Sequence, residues 1–232
     1  MEHQKPPMES SPGGVGSGYV FPAWTNKIAL GLVAGVLILG GVLSFVVWYY
    51  FSPKNTDVGY QPHQPVPYSH KLHAGDYGID CRYCHTGVDK SAHAIVPPTQ
   101  TCMNCHSQIK ADSVKLTKVR ESWATNNPVE WVKIHKIPDY AYFDHSRHIN
   151  KGVSCVSCHG RVDQMEEVKQ VEPLSMGWCL DCHRDPAQAV RPKEFVTKLD
   201  WEPPGGDQRA MGRQLVEQLN IKPPTDCSGC HR

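Results

Sequence analysis

The chain has 232 residues and a formal net charge of +1, with acidic and basic side chains interleaved. This length allows one domain and a small additional segment, and the balanced charge argues against nucleic acid or an anionic surface as a partner. Pro and Gly number 19 each, whereas aromatic residues make up only 9%. The composition predicts extensive irregular coil and thin apolar packing, so something other than side chains is expected to fill the core.

An uncharged, strongly apolar segment extends from Ile28 to Pro53. A helix of this length spans a hydrocarbon core of roughly 30 Å with some tilt, and the aromatic residues at its end are typical of a membrane interface. The alternative is a cleaved signal peptide, but the segment is too long and no A-x-A site follows it. We predict a flexible cytoplasmic tail over residues 1–25, a single-pass anchor over 26–52 and a tether over 53–67.

The rest of the chain contains an internal duplication. Residues 68–89 and 143–163 both read aromatic-x-His-x-x-His, then a Gly-containing turn, CxxCH and Val-Asp. Each copy is followed by a second CxxCH, after 16 residues in the first copy and 19 in the second. The repeat predicts two modules, over residues 68–142 and 143–232.

Helical signals in this part are short. The sequence predicts a helix around Ile109–Trp123 and another over Asp207–Asn220, with Asp207 as its N-cap. Residues 191–206 are expected to form an extended surface connection. No segment alternates apolar and polar residues over the length of a strand. The expected fold is therefore mainly α with extensive irregular coil, plus one N-terminal transmembrane helix.

The motif CxxCH occurs five times and uses all ten cysteines. Two thiols separated by two residues can each form a thioether with one vinyl group of the same haem, which places the adjacent His beneath the iron. The sequence therefore predicts five covalently bound haem c groups that themselves form the core. The attachment cysteines are Cys81, Cys84, Cys102, Cys105, Cys155, Cys158, Cys179, Cys182, Cys227 and Cys230. The proximal iron ligands are His85, His106, His159, His183 and His231.

Other uses of these cysteines fit the spacing less well. Zinc ribbons contain CxxC pairs but do not require a His after every second Cys. Redox-active CxxC motifs occur singly and in a βαβ context. Because c-type cytochromes mature on the outer side of the bacterial membrane, we expect the N-terminus inside. The haem domain is then on the periplasmic face of the inner (cytoplasmic) membrane.

The duplicated His pairs resemble those of class III multihaem cytochromes. In that family the first His of a pair ligates the haem that follows directly, and the second ligates the next haem. The pairs that the resemblance implies, distal ligand first, are His70 with His85, His73 with His106, His145 with His159, and His148 with His183.

The same family places one more axial ligand just before the second CxxCH of a module. In this chain the position reads LSMGWCLDCH, with Met176 where a His is expected. The resemblance implies that Met176 ligates the haem of His231, and a His/Met haem has a higher potential than a bis-His haem. His135 and His93 remain rivals for this ligand. Packing against porphyrin is the alternative role of Met176, and a polar contact is the alternative role of His135.

Over residues 26–232 the whole pattern resembles the pentahaem subunit of bacterial alternative complex III. The phrases WVKIHKIPDYAYFDHSRH, LSMGWCLDCHR and PPTDCSGCHR carry this resemblance. It implies an electron-transfer subunit, not an enzyme by itself, in a membrane complex that oxidises menaquinol. The implied partners are an iron–sulfur subunit and polytopic quinol-binding subunits. The implied acceptors are a monohaem cytochrome, a copper protein or a terminal oxidase.

Two other functions remain open. A stand-alone membrane-anchored quinol dehydrogenase would share the same layout and would feed periplasmic reductases directly. A multihaem reductase would need one five-coordinate haem, but the chain has no CxxCK variant of the kind found in nitrite-reductase-type catalytic haems.

Overall fold

The computed structural model describes residues 20–51 and 57–231. Most of the predicted N-terminal tail and the beginning of the predicted tether lie outside the described residues. The chain forms two compact units that divide after Trp48, and each unit is described by itself.

The first unit is built on helix α1, Trp24–Tyr50, whose bounds lie within two residues of the predicted anchor. Its 27 residues span about 40 Å at 1.5 Å per residue. None of its side chains is buried, and apolar residues lie on every side of the helix. Such a helix cannot be stabilised by burying one face against a soluble core. Among the described residues it is the one helix long and apolar enough to cross a membrane.

The second unit, from Tyr49 onward, consists of short helices joined by irregular chain. Its α-helices are α2 (Cys81–Cys84), α3 (Thr99–His106), α4 (Thr117–Thr125), α5 (His145–Asn150), α6 (Val156–His159), α7 (Met176–Arg184), α8 (Gln208–Gln218) and α9 (Cys227–Cys230). A π-helical turn covers Lys71–Asp76, and 3₁₀ turns cover Val114–Leu116, Val162–Gln164, Pro186–Gln188 and Lys193–Phe195. The described residues contain no strand, only two isolated bridges, Ala141 with His231 and Val153 with Val190. The mainly helical, coil-rich fold expected from the sequence is confirmed.

The two helices predicted in this unit agree with the structure to different extents. Helix α8 follows Asp207, whose carboxylate accepts a hydrogen bond from the Ala210 N–H at 2.9 Å, as the sequence predicts. The helix expected from Ile109 begins only at Thr117. The preceding chain turns instead, because the Arg120 guanidinium holds the carbonyls of Ala111 and Ser113 at 2.7 and 2.8 Å.

The segment 191–206 is not simply an extended surface connection, so that prediction is wrong for its first half. Arg191 and Val196 are buried there. The carbonyl of Val196 accepts hydrogen bonds from the Ser154 hydroxyl at 2.7 Å and from the Cys155 N–H at 3.2 Å. The Arg191 N–H donates to the carbonyl of Gly152 at 2.9 Å. The segment therefore packs along the second repeat and fixes the start of its CxxCH motif.

The buried apolar side chains of the described residues are few and small. They are Val66, Val88, Val119, Ala187, Val190 and Val196. The thin apolar packing that the composition predicts is thus present in the structure.

The two repeats pack against each other reciprocally. The N–H of Lys71, directly after the first His of the first pair, donates to the carbonyl of Met165 at 3.0 Å. In the second repeat the equivalent Ser146 N–H donates to the carbonyl of Ser91 at 3.2 Å. Met165 and Ser91 are themselves equivalent, since each lies six residues after a CxxCH histidine. Each His pair therefore rests on the loop that follows the CxxCH of the other repeat, in an approximate two-fold arrangement.

Gly152 should be intolerant of a side chain. It has φ +85°, and an added Cβ would overlap the carbonyl oxygen of Arg191. Gly206 has a similar φ of +75°, but it faces open space. We expect Gly152→Ala to lower the free energy of unfolding by about 2–4 kcal/mol and Gly206→Ala by only about 1 kcal/mol. Denaturant unfolding of both variants measures the difference, and equal losses would contradict the close approach at Gly152.

Candidate functional site

Each CxxCH motif is wound into a short helical turn. Helices α2 and α9 begin and end on the two cysteines of their motif, and α7 carries both cysteines and the histidine of its motif. Residues three apart lie on one face of a helix, so the two thiols of a motif face the same way. Side-chain caps fix the turns: Asp80 accepts from the Arg82 N–H at 2.9 Å, and Asp226 from the Gly229 N–H at 3.1 Å. None of the ten cysteines is paired in a disulfide within the part of the chain that the structure describes.

Seven of the nine predicted ligand histidines place Nδ1 against a backbone carbonyl. A carbonyl can only accept a hydrogen bond, so Nδ1 carries the proton and Nε2 keeps its lone pair. This is the tautomer that a metal requires at Nε2, with the ring orientation fixed by the second hydrogen bond. The contacts are His73 to Ser69 (2.8 Å), His85 to Ile95 (2.9 Å), His106 to Ile109 (2.9 Å), His145 to Ala92 (2.9 Å), His148 to Asp144 (2.8 Å), His183 to Pro224 (2.7 Å) and His231 to Tyr140 (3.1 Å).

Three of the four implied pairs of histidines face each other at a common distance. The ring centroids are 6.2 Å apart for His73 and His106, 6.4 Å for His145 and His159, and 6.1 Å for His148 and His183. A metal–nitrogen bond is about 2.0 Å long, so two imidazoles on opposite sides of one metal ion have centroids roughly 6 Å apart. The spacing fits one ion between the two Nε2 atoms of each pair.

In the fourth implied pair, His70 and His85, the imidazole of His85 affects the pKa of His70. The pKa of His70 is lowered to about 4, mainly by burial and in addition by the neighbouring imidazoles of His85 and His73. The Nδ1 atom of His70 is buried and has no hydrogen-bond partner among the described residues. An unpaired buried polar group costs about 1–3 kcal/mol. His70 thus lies beside His85, its implied partner, but without the carbonyl contact that orients the other members of the two His pairs.

One aromatic ring supports each pair of distal histidines. Tyr68 stacks on His73 with centroids 4.5 Å apart and meets the edge of His70 at 4.8 Å. In the second repeat Phe143 does the same at 4.7 Å, stacking on His148 and meeting the edge of His145. The repeated aromatic-x-His-x-x-His pattern is therefore a structural unit, in which the first residue sets the ring orientation of the other two.

His159 differs from the other CxxCH histidines. Its Nδ1 faces the Nε2 atom of His135 at 3.3 Å, with ring centroids 4.3 Å apart and nearly perpendicular planes. The pKa of His159 is lowered to about 3, mainly by burial and then by the imidazoles of His135 and His145. Sequence reasoning placed His135 only among possible iron ligands or polar contacts. No local motif marks this contact, because the two residues are 24 positions apart.

The remaining candidates lie apart from these pairs. Met176 is the first residue of α7, and its side chain is 64% exposed. The ring contact of His231 is with Tyr140, at 5.8 Å, so the ligand opposite His231 stays a prediction. His93 is exposed, and the exposed side chain of His63 is 3.6 Å from the carboxylate of Glu167.

Thiols of different motifs are close neighbours in the first half of the site. The thiols of Cys81 and Cys155, equivalent residues of the two repeats, are hydrogen-bonded to each other, which lowers the pKa of Cys81 and raises that of Cys155. Burial raises the pKa of Cys84, and the thiol of Cys102 raises it further. The first motif therefore lies between the second and the third.

Thiols of the third, fourth and fifth motifs are also neighbours of each other. The pKa of Cys158 is raised to about 12, mainly by burial and then by the thiols of Cys182 and Cys179. Burial also raises the pKa of Cys179, with the thiol of Cys230 as the next cause. The spatial order of the motifs differs from their order in the chain and runs CMNCH (102–106), CRYCH (81–85), CVSCH (155–159), CLDCH (179–183), CSGCH (227–231).

A cavity with mostly apolar walls lies beside one of the motif cysteines. Cys102 lies in the wall of a cavity of about 400 Å³. The other residues of its wall are mostly apolar, namely Val96, Pro97, Pro98, Thr99, Val119, Pro128, Val129, Glu130 and Trp131. In the part of the chain that the structure describes, no three His, Cys, Asp or Glu side chains converge as a closed metal site would require. Opposed imidazole pairs beside thiol pairs are instead the donor set of an axially ligated, thioether-bound haem.

Paired thiols on helical turns, imidazoles whose Nε2 atoms can bind a metal, and a small apolar core are features of multihaem c-type cytochromes, a class of electron-transfer protein. The comparisons agree with this class. Residues 141–232 match the family described as cytochrome c7 and related cytochrome c, so the C-terminal part is cytochrome c7-like.

A second comparison is with one relative. The multihaem cytochrome c subunit of menaquinone reductase from Nitratidesulfovibrio vulgaris is 30% identical over 141 residues. The match covers 60% of this chain and 60% of the relative. The resemblance seen in the sequence is thereby supported at the level of a c7-like multihaem cytochrome related to a subunit of a quinone-linked enzyme.

The aromatic residue before each His pair should tolerate exchange between its two natural forms. We expect Tyr68→Phe to change the free energy of unfolding by less than about 1 kcal/mol, because Phe143 fills the equivalent place. Tyr68→Ala should cost about 3 kcal/mol, because it removes a large ring packed on two imidazoles. Thermal unfolding of both variants checks this, and an equal loss for Tyr68→Phe would show that the hydroxyl matters more than the ring.

Proposed function

We propose that the chain carries five haem c groups and transfers electrons as a membrane-anchored subunit of a quinol:acceptor oxidoreductase. The proposal rests on three pairs of imidazole rings whose centroids are 6.1–6.4 Å apart. In each of them one ring belongs to a CxxCH histidine and the other to the duplicated His-x-x-His pattern. When bound, haem supplies a reversible one-electron couple. The chain supplies covalent attachment, two axial ligands for each iron, and the spacing of the haems.

The geometry and the resemblance together support one assignment of the iron ligands. The four bis-His irons take His70 with His85, His73 with His106, His145 with His159, and His148 with His183. The carbonyl contacts at Nδ1 hold most of these rings and keep Nε2 unprotonated. Two histidines would hold each of these irons, so substrate chemistry is not expected at these haems.

The fifth haem, at Cys227 and Cys230, takes His231 and Met176. Met176 lies one helical turn before Cys179 on α7, and the thiol of Cys179 is a neighbour of that of Cys230. This position favours a side chain that reaches the fifth haem. A thioether ligand raises the potential of a haem relative to a second imidazole.

The spatial order of the motifs gives an unbranched relay. Its ends are the motifs at 102–106 and 227–231. The motifs at 81–85 and 155–159, which are equivalent in the two repeats, lie next to each other within it. Because Met176 raises the potential at the 227–231 end, we assign that end as the electron exit. Electrons enter near the motif at 102–106.

The haems also complete the core of the unit. Its buried apolar side chains are six small residues, and the cavity beside Cys102 has mostly apolar walls. A porphyrin is a large flat apolar group, and five of them supply the buried area that the side chains lack. The haem domain is then stable only when the haems are attached.

The anchor and the partners rest on the sequence and on the relative. Helix α1 holds the subunit in the bacterial inner membrane with the haem domain on the periplasmic side. Within a complex like alternative complex III, an iron–sulfur subunit and polytopic quinol-binding subunits deliver electrons. A monohaem cytochrome, a copper protein or a terminal oxidase accepts them.

A second candidate function has its own observation. The relative from N. vulgaris is a subunit of an enzyme named for the reduction of menaquinone. A complex of that kind runs the same relay in the opposite direction, so that a soluble donor supplies electrons and menaquinone accepts them. The two directions share the haem ligands and differ in the potential of the exit haem relative to menaquinone.

The experiment that tests the function is isolation of the protein from native membranes in mild detergent. Mass spectrometry identifies what accompanies the haem-stained band, and stopped flow measures haem reduction by menaquinol. Co-purification with an iron–sulfur subunit and polytopic subunits, and reduction that depends on them, supports the proposal. Direct reduction of the isolated chain by quinol would favour a stand-alone quinol dehydrogenase. Re-oxidation of the reduced haems by menaquinone would favour the second candidate.

Met176 is tested by substitution. We expect Met176→His to lower the midpoint potential of one haem and to leave haem content unchanged, because a second imidazole stabilises ferric iron better than a thioether does. Spectropotentiometric titration measures this, with Met165→Leu as the matched control. Unchanged potentials would remove Met176 from the ligands.

The proposed role of His148 as an iron ligand is tested by removing its imidazole, which would leave one coordination position of that iron empty. We expect His148→Ala to leave one haem five-coordinate, so that the reduced protein binds carbon monoxide at about one haem in five. A carbon monoxide difference spectrum checks this, and His93→Ala, at an exposed histidine, is the control. A variant that binds no carbon monoxide would contradict the assignment.

A further inference from the structure

The hydrogen bond at Nδ1 of His159 has no counterpart among the other CxxCH histidines. Four of the five donate Nδ1 to a backbone carbonyl at 2.7–3.1 Å, whereas His159 faces the side chain of His135 at 3.3 Å. A carbonyl is fixed by the fold. A side chain can be replaced, and its strength as an acceptor is set by its identity.

The direction of this hydrogen bond follows from the proposed function, on which the inference rests. If Nε2 of His159 holds an iron, the neutral ring carries its proton on Nδ1. That N–H donates to Nε2 of His135, which must then be unprotonated, so His135 carries its own proton on Nδ1. The Nε2 atom of His135 is engaged by His159 and is not free to ligate another iron.

The segment that carries His135 is held on both sides without forming a helix. On one side the amide of Gln64 makes two hydrogen bonds of 3.0 Å with the backbone of Val132, one to its carbonyl and one from its N–H. On the other side a turn closes from the Ala141 N–H to the carbonyl of Pro138 at 2.9 Å. His135 is therefore placed by its surroundings and not only by its contact with His159.

We propose that His135 is a positioning residue for the haem at Cys155 and Cys158, and that it lowers the potential of this haem through His159. An imidazole nitrogen is a stronger base than a carbonyl oxygen. As an acceptor it draws the Nδ1 proton of His159, makes Nε2 a better electron donor and so stabilises ferric iron. This haem is the middle one of the five in the spatial order of the motifs, so its potential controls passage between the two ends of the relay.

The test uses the full-length, haem-loaded protein. In His135→Leu the acceptor is lost, and in His135→Gln an amide oxygen can replace it. His93→Leu is the matched control at an exposed histidine. Haem content is measured first, and each midpoint potential is then determined by spectropotentiometric titration. The variant His145→Met identifies the affected haem, because it replaces the distal ligand assigned to the same iron.

We expect all variants to keep five haems. His135→Leu should raise the potential of one haem, the one that His145→Met also shifts, and His135→Gln should return it toward the native value. Unchanged potentials in His135→Leu would overturn the inference. A new carbon monoxide-binding haem in His135→Leu would also overturn it, because His135 would then be an axial ligand. A native protein without five haems would refute the proposed function itself, which separates the two failures.

Discussion

An imidazole that binds iron through Nε2 must carry its proton on Nδ1, and that proton needs an acceptor. Most of the predicted ligand histidines obtain this acceptor from a backbone carbonyl, in most cases one supplied by another part of the chain. Much of the irregular chain can be understood from this requirement. A helix or a strand uses its own carbonyls, whereas a coil leaves them available for side chains. The coil between the short helices is therefore part of the site, and not merely a set of connections.

The same part of the chain has a small apolar core. The six buried apolar side chains of the described residues seal contacts between chain segments, for example Val196 behind the third CxxCH motif. In the function proposed above, attached haem supplies both the redox group and the apolar volume that these side chains lack.

The sequence predicts what is encoded locally. Asp207 caps α8, and the repeated His spacing predicts which imidazoles the fold brings near the CxxCH histidines. It fails where distant residues decide the conformation. Arg120 turns the chain where helical periodicity predicts a helix from Ile109, and Ser154 draws Val196 into the interior of a predicted surface connection. The carbonyl acceptors, the spatial order of the motifs and the contact of His135 with His159 have no side-chain signature in the sequence.

The reciprocal packing of the repeats bears on the order in which contacts can form along the chain. The carbonyl on which the first His pair rests belongs to Met165, so this contact needs the second repeat. The second His pair rests on the carbonyl of Ser91, which precedes it in the chain. In a chain that emerges N-terminus first, the first His pair therefore lacks its support until the later repeat is present. Each repeat completes the other, although the sequence divides into two parts.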